Sequence, residues 1–364
     1  MAASFLFNYT YAATTSQPPS LPPLSDLLTA SFIISTVVIL LLCLIGIVGN
    51  ALSAAVFFSS KLRKKSINVF LTALSLSDLG LLIVAAPAYA SPPLSALCDD
   101  SEFLLKLYQM GTVYLYPVSS MFHCASIWLL VLVTCERFAA ICSPLQVRRY
   151  FTRSRAVTAI LVVTLVSVAY NTVRFWEFDS DDEDGVRLLL RSSPAYTLWY
   201  STVGQMLLVY VVPLILIVAL SCLTIAELWR VGRNRQRMRA RHRDNQQTSD
   251  MLRCIIIVFV LCNTLSLSLS VVETVEPQLF DSDLGYVLSD LNNVLFILHS
   301  ATTAFFYARY SVICRTAARN LLLTALRGKQ TDTDGLNAML LLLTESSSIV
   351  LRRRPARATQ SNLV

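Results

Sequence analysis

Glu136 and Arg137 stand side by side near the end of an otherwise apolar run, Ser126 to Leu145. A charge in hydrocarbon costs about 2.5–3.5 kcal/mol on insertion scales, so such a pair persists where something uses it. Consecutive helical residues point about 100° apart, so the two heads share an end of the helix but not a face. The plain alternative is an arginine that snorkels to the lipid headgroups. Asp78, closing Leu74-Ser75-Leu76-Ser77-Asp78, is the one acid set in the middle of the first four apolar runs. An unpaired carboxylate at that depth is costly, so it takes a proton or faces a polar, hydrated interior. Asn50, preceded by Gly49, needs a partner on a neighbouring helix, and simple helix–helix glue would account for it. No metal-ligand spacing or nucleophile–base pair joins the three histidines (His123, His242, His299), so no enzyme chemistry is expected.

The elements that position these residues follow from composition. The 364 residues are 55% hydrophobic and 15% charged, with a mean hydropathy of +0.58. A soluble domain would carry about 25% charge. Runs long enough to cross a bilayer, about 20 residues each, recur over 31–58, 67–90, 106–141, 154–175, 198–229, 251–272 and 284–307. Backbone groups cannot go unpaired in lipid, so these runs must be helices. The expectation is an all-α membrane protein, a bundle of seven transmembrane helices. Pro87 and the Pro92-Pro93 pair are expected to bend and end the second helix, and Pro213 to kink the fifth. The sixth carries Asn263, Thr264 and Ser266, which call for hydrogen bonds between helices.

Basic residues orient the bundle. One set of ends and loops (59–66, Arg137 with 143–155, 230–253, 309–364) holds 26 of the 30 Lys and Arg. Positive charge stays cytoplasmic, which puts the N-terminus outside and the C-terminus inside, at the plasma membrane. Residues 1–30 form an extracellular tail, disordered by its Thr, Ser and Pro content, with a glycosylation sequon at Asn8. Residues 31–308 form the membrane domain. Residues 309–327 resemble an amphipathic helix lying on the inner surface, with Cys314 a palmitoylation candidate, and 328–364 a cytoplasmic tail. The seven arginines between Arg230 and Arg243 face lipid headgroups or an acidic partner surface.

Outside, Asp179, Asp181, Asp182, Glu183 and Asp184 crowd one loop, and Glu273, Glu276, Asp281 and Asp283 another. They are either a solvated rim or a funnel for cations. No acid lies between Lys106 and Glu136, which disfavours a small amine as ligand. Each of the five lysines lies away from the seventh helix, which excludes a retinal protein. The two halves show no internal repeat of the kind transporters carry.

Taken together, the seven runs, Gly49-Asn50, Leu74…Asp78, Glu136-Arg137-Phe138 and Pro213 resemble the rhodopsin-like G-protein-coupled receptors over about residues 35–326. Tyr116-Pro117, Val133–Phe138, Tyr170-Asn171…Arg174-Phe175-Trp176-Glu177 and Phe259…Cys262–Leu267 are similar to invertebrate FMRFamide and myosuppressin receptors. The resemblance implies that Arg137 meets a heterotrimeric G protein on activation while Glu136 restrains it at rest, and that Tyr307 swings inward. Arrestin is a second partner the resemblance implies. Asp78 and Ser126 would form a sodium-binding pocket with Asn50, Thr303 and His299. His299 is expected to pair with Asp78 and take the ion's place, so no cofactor is expected. The family's outer disulfide cannot form here, because Thr112 stands at its first position and no Cys lies between Cys142 and Cys222. The seventh helix has Thr303-Ala304-Phe305-Phe306-Tyr307 in place of Asn-Pro-x-x-Tyr.

The expected ligand is a short cationic, amidated peptide. Glu177, Glu273 and Glu276 would attract it, and Tyr114, Tyr116, Phe122, Trp176 and Tyr286 would supply aromatic contacts. The alternative is a divergent seven-helix binding or scaffold protein that does not couple to G proteins.

Overall fold

A computed structural model describes residues 26–310 apart from 59–64, 98–101, 144–146, 148, 182–184, 235–238, 277–278 and 280–281. Seven long helices account for most of the described residues. They are α1 (Asp26–Phe58), α2 (Ser66–Leu97), α3 (Glu102–Cys142), α4 (Arg153–Trp176), α5 (194–234), α6 (Arg239–Val275) and α7 (Asp283–Tyr310). A short antiparallel hairpin, β1 (Phe178–Asp181) with β2 (Gly185–Leu188), stands between α4 and α5 and pairs Phe178 with Leu188. Neighbours in the bundle are α1–α2, α2–α3, α2–α4, α2–α7, α3–α4, α3–α5, α5–α6, α6–α7 and α7–α1, and of the apolar stretches in α1 to α5 that of α3 is the most deeply buried.

Among the described residues, α1 to α5 each contain a stretch long and apolar enough to cross a membrane, and α6 a shorter one, Arg253–Leu269. The helix α7 reads as less apolar because it buries Ser289, Asp290, Asn292, Asn293, His299, Ser300 and Thr303 inside the bundle. Its polar side chains are kept from lipid by its neighbours, which is how polar groups survive at that depth.

Two apolar clusters fill the interior with a polar layer between them. One, around Phe70, Leu74, Ile127, Leu130 and Phe259, lies toward the Glu136–Arg137 end. The other, around Leu81, Leu82, Ala85, Tyr89 and Tyr116, includes Phe178 and Val186 of the hairpin. A Cβ on Gly46 would come within 3.0 Å of the Ala301 Cα, and one on Gly49 within 2.7 Å of the Ala304 Cβ. Small residues thus let α1 and α7 touch backbone to backbone. Close contact lets Asn50 Nδ2 donate to the Ser300 carbonyl at 3.1 Å, as well as to Gly46 of its own helix at 3.0 Å.

Three expectations about the helices are corrected. The helix α2 does not stop at Pro92-Pro93 but runs on to Leu97, with Ser95 Oγ donating to the Pro92 carbonyl at 2.8 Å. Proline removes one donor, and in a membrane helix neighbouring hydroxyls can re-satisfy the backbone. Asn263 on α6 bonds back to Phe259 of its own helix at 2.8 Å, meeting its need without reaching another helix. The helix α1 begins at Asp26, ahead of the expected boundary at residue 31. The predicted surface helix over 309–327 and the tails lie outside the described residues beyond Tyr310.

Candidate functional site

At one end of α3 the Glu136 carboxylate is 3% exposed and holds two partners. Arg137 approaches Oε2 with Nη2 at 2.6 Å and Nε at 2.7 Å. Ser66 Oγ, from the first residue of α2, donates to Oε1 at 3.1 Å. The side chains of adjacent residues meet because the long arginine folds back across the helix end, which the angular separation alone did not suggest. Phe138 beside them is half-buried. Arg137 is therefore latched at the helix end, and its latch is braced from α2.

In the polar layer Asp78 is completely buried and accepts from Ser126 Oγ at 2.5 Å through Oδ1. The hydroxyls of Ser300 and Thr303 on α7 also face it. Asp78 Oδ2, Ser300 Oγ, Ser75 Oγ and Asn50 Oδ1 are buried with no partner among the described residues. His299 does not bond Asp78: both its ring nitrogens lack a partner, and its ring meets His123 edge-on at 6.3 Å and Phe259 at 5.3 Å. The expected Asp78–His299 pair is not formed: Ser126 bonds the carboxylate through Oδ1, and the imidazole packs among rings. His123 stacks 4.1 Å from Phe296, which also lies 5.5 Å from Tyr89.

At the opposite end the dominant feature is Arg174, 1% exposed in the last turn of α4. Its Nε donates to Asn171 Oδ1 at 3.0 Å, Nη1 to Tyr116 Oη at 2.6 Å and Glu177 Oε1 at 3.1 Å, and Nη2 to Gln205 Oε1 at 2.7 Å. Its guanidinium carbon also lies 5.5 Å from the ring centres of Tyr116 and Tyr200. Glu177, 0% exposed, takes a further bond from Tyr196 Oη at 2.6 Å. Asn171, Arg174 and Glu177 are three apart, which places them on one helical face. That spacing was readable in the sequence, whereas the distant partners Tyr196, Tyr200 and Gln205 were not. Two π-helical stretches, Thr197–Gly204 and Met206–Val211, flank Gln205 and reset its direction along α5.

The expected ligand-facing residues are not gathered on one surface. Tyr116 is buried against Phe178, with ring centres 6.4 Å apart. Phe122 packs on α2, where a Cβ on Gly80 would meet it at 2.6 Å. Tyr114 and Trp176 are each 54% exposed, and Tyr286 is half-buried. Among the acids Glu276 is exposed, but Glu177 is spent on Arg174 and Tyr196. Asp290, farther along α7, is 3% exposed and accepts from Ser31 and Ser35 of α1 at 3.1 and 3.0 Å. Asn8, Cys314 and the side chains of Glu273 and Tyr307 lie outside the described residues.

A latched arginine at one end of α3, a buried carboxylate among hydroxyls midway and a braced loop at the far end define a multi-pass helical membrane protein. The chain belongs to the seven-transmembrane receptors of the rhodopsin family, whose model matches residues 49–308. The FMRFamide peptide receptor frpr-18 of Caenorhabditis elegans is 31% identical over 290 residues, 75% of this chain and 65% of that protein. The FMRFamide receptor of Drosophila melanogaster is 27% identical over 296 residues, covering 78% of this chain and 53% of its own. Galanin receptor 2a of Danio rerio is 23% identical over 231 residues, 63% of this chain and 62% of that receptor. The chain spans between about half and two thirds of the length of these relatives.

Proposed function

We propose that this chain is a cell-surface receptor for a short cationic, amidated peptide, which it reports to a cytoplasmic heterotrimeric G protein. The observation that carries the coupling half is the Arg137–Glu136–Ser66 arrangement, a charge stored at the end of α3 and released by breaking its two contacts with Glu136 Oε2. The basic ends gathered at 59–66, 137–155, 230–253 and 309–364 support a cytoplasmic position for that end and an outer one for the hairpin. The ligand half is supported by the names of the two FMRFamide receptors, by exposed Asp179, Glu276 and Asp283 at the hairpin end, and by the lack of an acid between Lys106 and Glu136 on α3.

The polar layer also suits a sodium ion. Asp78 Oδ2, Ser126 Oγ, Ser300 Oγ and Asn50 Oδ1 supply oxygen, the ligand type a hard cation takes, and three of these atoms are buried without partners. A bound ion would neutralise Asp78, and these four residues would hold it between α1, α2, α3 and α7.

The test is nucleotide exchange on membranes from cells expressing the full chain, challenged with Phe-Met-Arg-Phe-NH2 and a set of amidated peptides ending in Arg-Phe. Saturable stimulation by at least one, lost when its terminal amide becomes a free acid, is expected. No response to the whole set, from a protein shown to be at the cell surface, would overturn the reading.

A further inference from the structure

We propose that Arg174 is a non-covalent staple that holds the β1–β2 hairpin against the start of α3, making it a positioning residue for ligand capture. Two strands of four residues each are too short to stand alone. The loop between α4 and α5 has no cysteine, so no covalent bridge can tether it. Something else must hold it in place.

The hairpin is fixed at its base. Glu177 immediately precedes β1, and its carbonyl accepts from Leu189 N–H at 3.0 Å, closing the far end of β2. Its carboxylate is held by Arg174 at 3.1 Å and by Tyr196 at 2.6 Å. Arg174 in turn grips Tyr116 of α3 and Gln205 of α5. One guanidinium thereby joins α3, α4, α5 and the root of the hairpin. Arginine suits this because its planar fork directs five donors at once, which a lysine cannot reproduce. Phe178 and Val186, 2% and 1% exposed, then seat the strands on Tyr116 and the cluster beneath. Cutting Arg174 would leave Glu177 as a buried charge without its counter-ion, so the root itself would have to move.

The experiment is hydrogen exchange by mass spectrometry on the full-length receptor purified in lipid nanodiscs. Arg174→Gln is expected to raise exchange in residues 178–188 about tenfold while residues 126–134 of α3 keep wild-type protection. Arg174→Lys should fall between, and the pair Arg174→Gln with Glu177→Gln should recover part of the protection by removing the stranded charge. Should Arg174→Gln not fold, Glu177→Gln alone, which keeps three of Arg174's side-chain partners, should show the same selective rise. Unchanged exchange in 178–188, or an equal rise in 126–134, would overturn the staple. A second arm rests on the peptide-receptor reading: affinity for Phe-Met-Arg-Phe-NH2 should fall at least tenfold in Arg174→Gln and recover in part in the double variant. Wild-type receptor that fails to bind the peptide while exchange behaves as expected counts against that reading and leaves the staple standing. Peptide affinity unchanged in a variant with a loosened hairpin overturns the role in capture.

Discussion

In the proposed coupling, Arg137 is held at rest and let go on activation. Its two nitrogens on Glu136 Oε2 form a charge-assisted contact, the strong kind of hydrogen bond, at the edge of a low-dielectric interior. Arg137→Ala should lower agonist-driven nucleotide exchange at least tenfold, about 1.4 kcal/mol, while surface ligand binding persists; full signalling in that variant would refute the role. Ser66→Ala removes the brace on Glu136 and should raise agonist-free exchange about fivefold, from a hydrogen bond worth about 1 kcal/mol, whereas Ser66→Thr should restore the wild-type level. Adjacent charges in an apolar run were legible in the sequence. Ser66 was not, because it comes from 70 residues away. At Asp78 the sequence reading placed the carboxylate and Ser126 together correctly but turned His299 toward them. Residue spacing fixes depth on a helix and says little about which way a ring turns. With Oδ2 free and His299 elsewhere, agonist affinity should fall about tenfold when sodium replaces choline, and Asp78→Asn should abolish that dependence. Equal affinity in both salts would exclude an ion from the pocket.

Helices were located from hydropathy because a membrane leaves the backbone no alternative, and their centres agree with the observed elements. Their ends and irregularities were harder to read. A rule learned from soluble helices stopped α2 at Pro92-Pro93, but buried neighbours and a serine hydroxyl keep it going. The π-helical turns of α5 have no sequence signature that periodicity can detect, yet they aim Gln205 at Arg174. Packing of α1 on α7 depends on the absence of side chains at Gly46 and Gly49. Gly46→Ala would gain about 1 kcal/mol of helix propensity. It would also drive a methyl to 3.0 Å from the Ala301 Cα, a backbone atom that cannot rotate away. Overpacking of that kind costs about 1–3 kcal/mol, so the clash should win. Purified Gly46→Ala receptor is expected to melt several degrees below wild type in a thermal-shift assay. A melting point at or above wild type would mean that α1 moves aside freely.

At the scale of the whole molecule, charge is divided between the two ends, and the structure narrows how much of the outer acid is free to act. The sequence offered a one-signed rim, but burial removes Glu177, which neutralises Arg174, and nearby Asp290 faces the serines of α1. Across the hairpin, Asp179 stands opposite Arg187 in register, so its field is partly cancelled. Glu276 and Asp283 stay exposed at the same end. Steering by such charges acts on the association rate and is screened over about 8 Å at physiological ionic strength. Replacing Glu276 with Gln and Asp283 with Asn together should slow association of a labelled cationic amidated peptide about threefold in low salt. The difference should shrink toward nothing near 0.5 M salt, with dissociation hardly changed. Glu177→Gln should behave in the opposite way: little effect on salt dependence, but loss of affinity through a loosened hairpin. Measured association and dissociation rates at two salt concentrations separate the two kinds of acid. Rates that do not respond to the Glu276 and Asp283 changes at low salt would make the rim a solvated edge and remove charge as the basis for choosing the ligand.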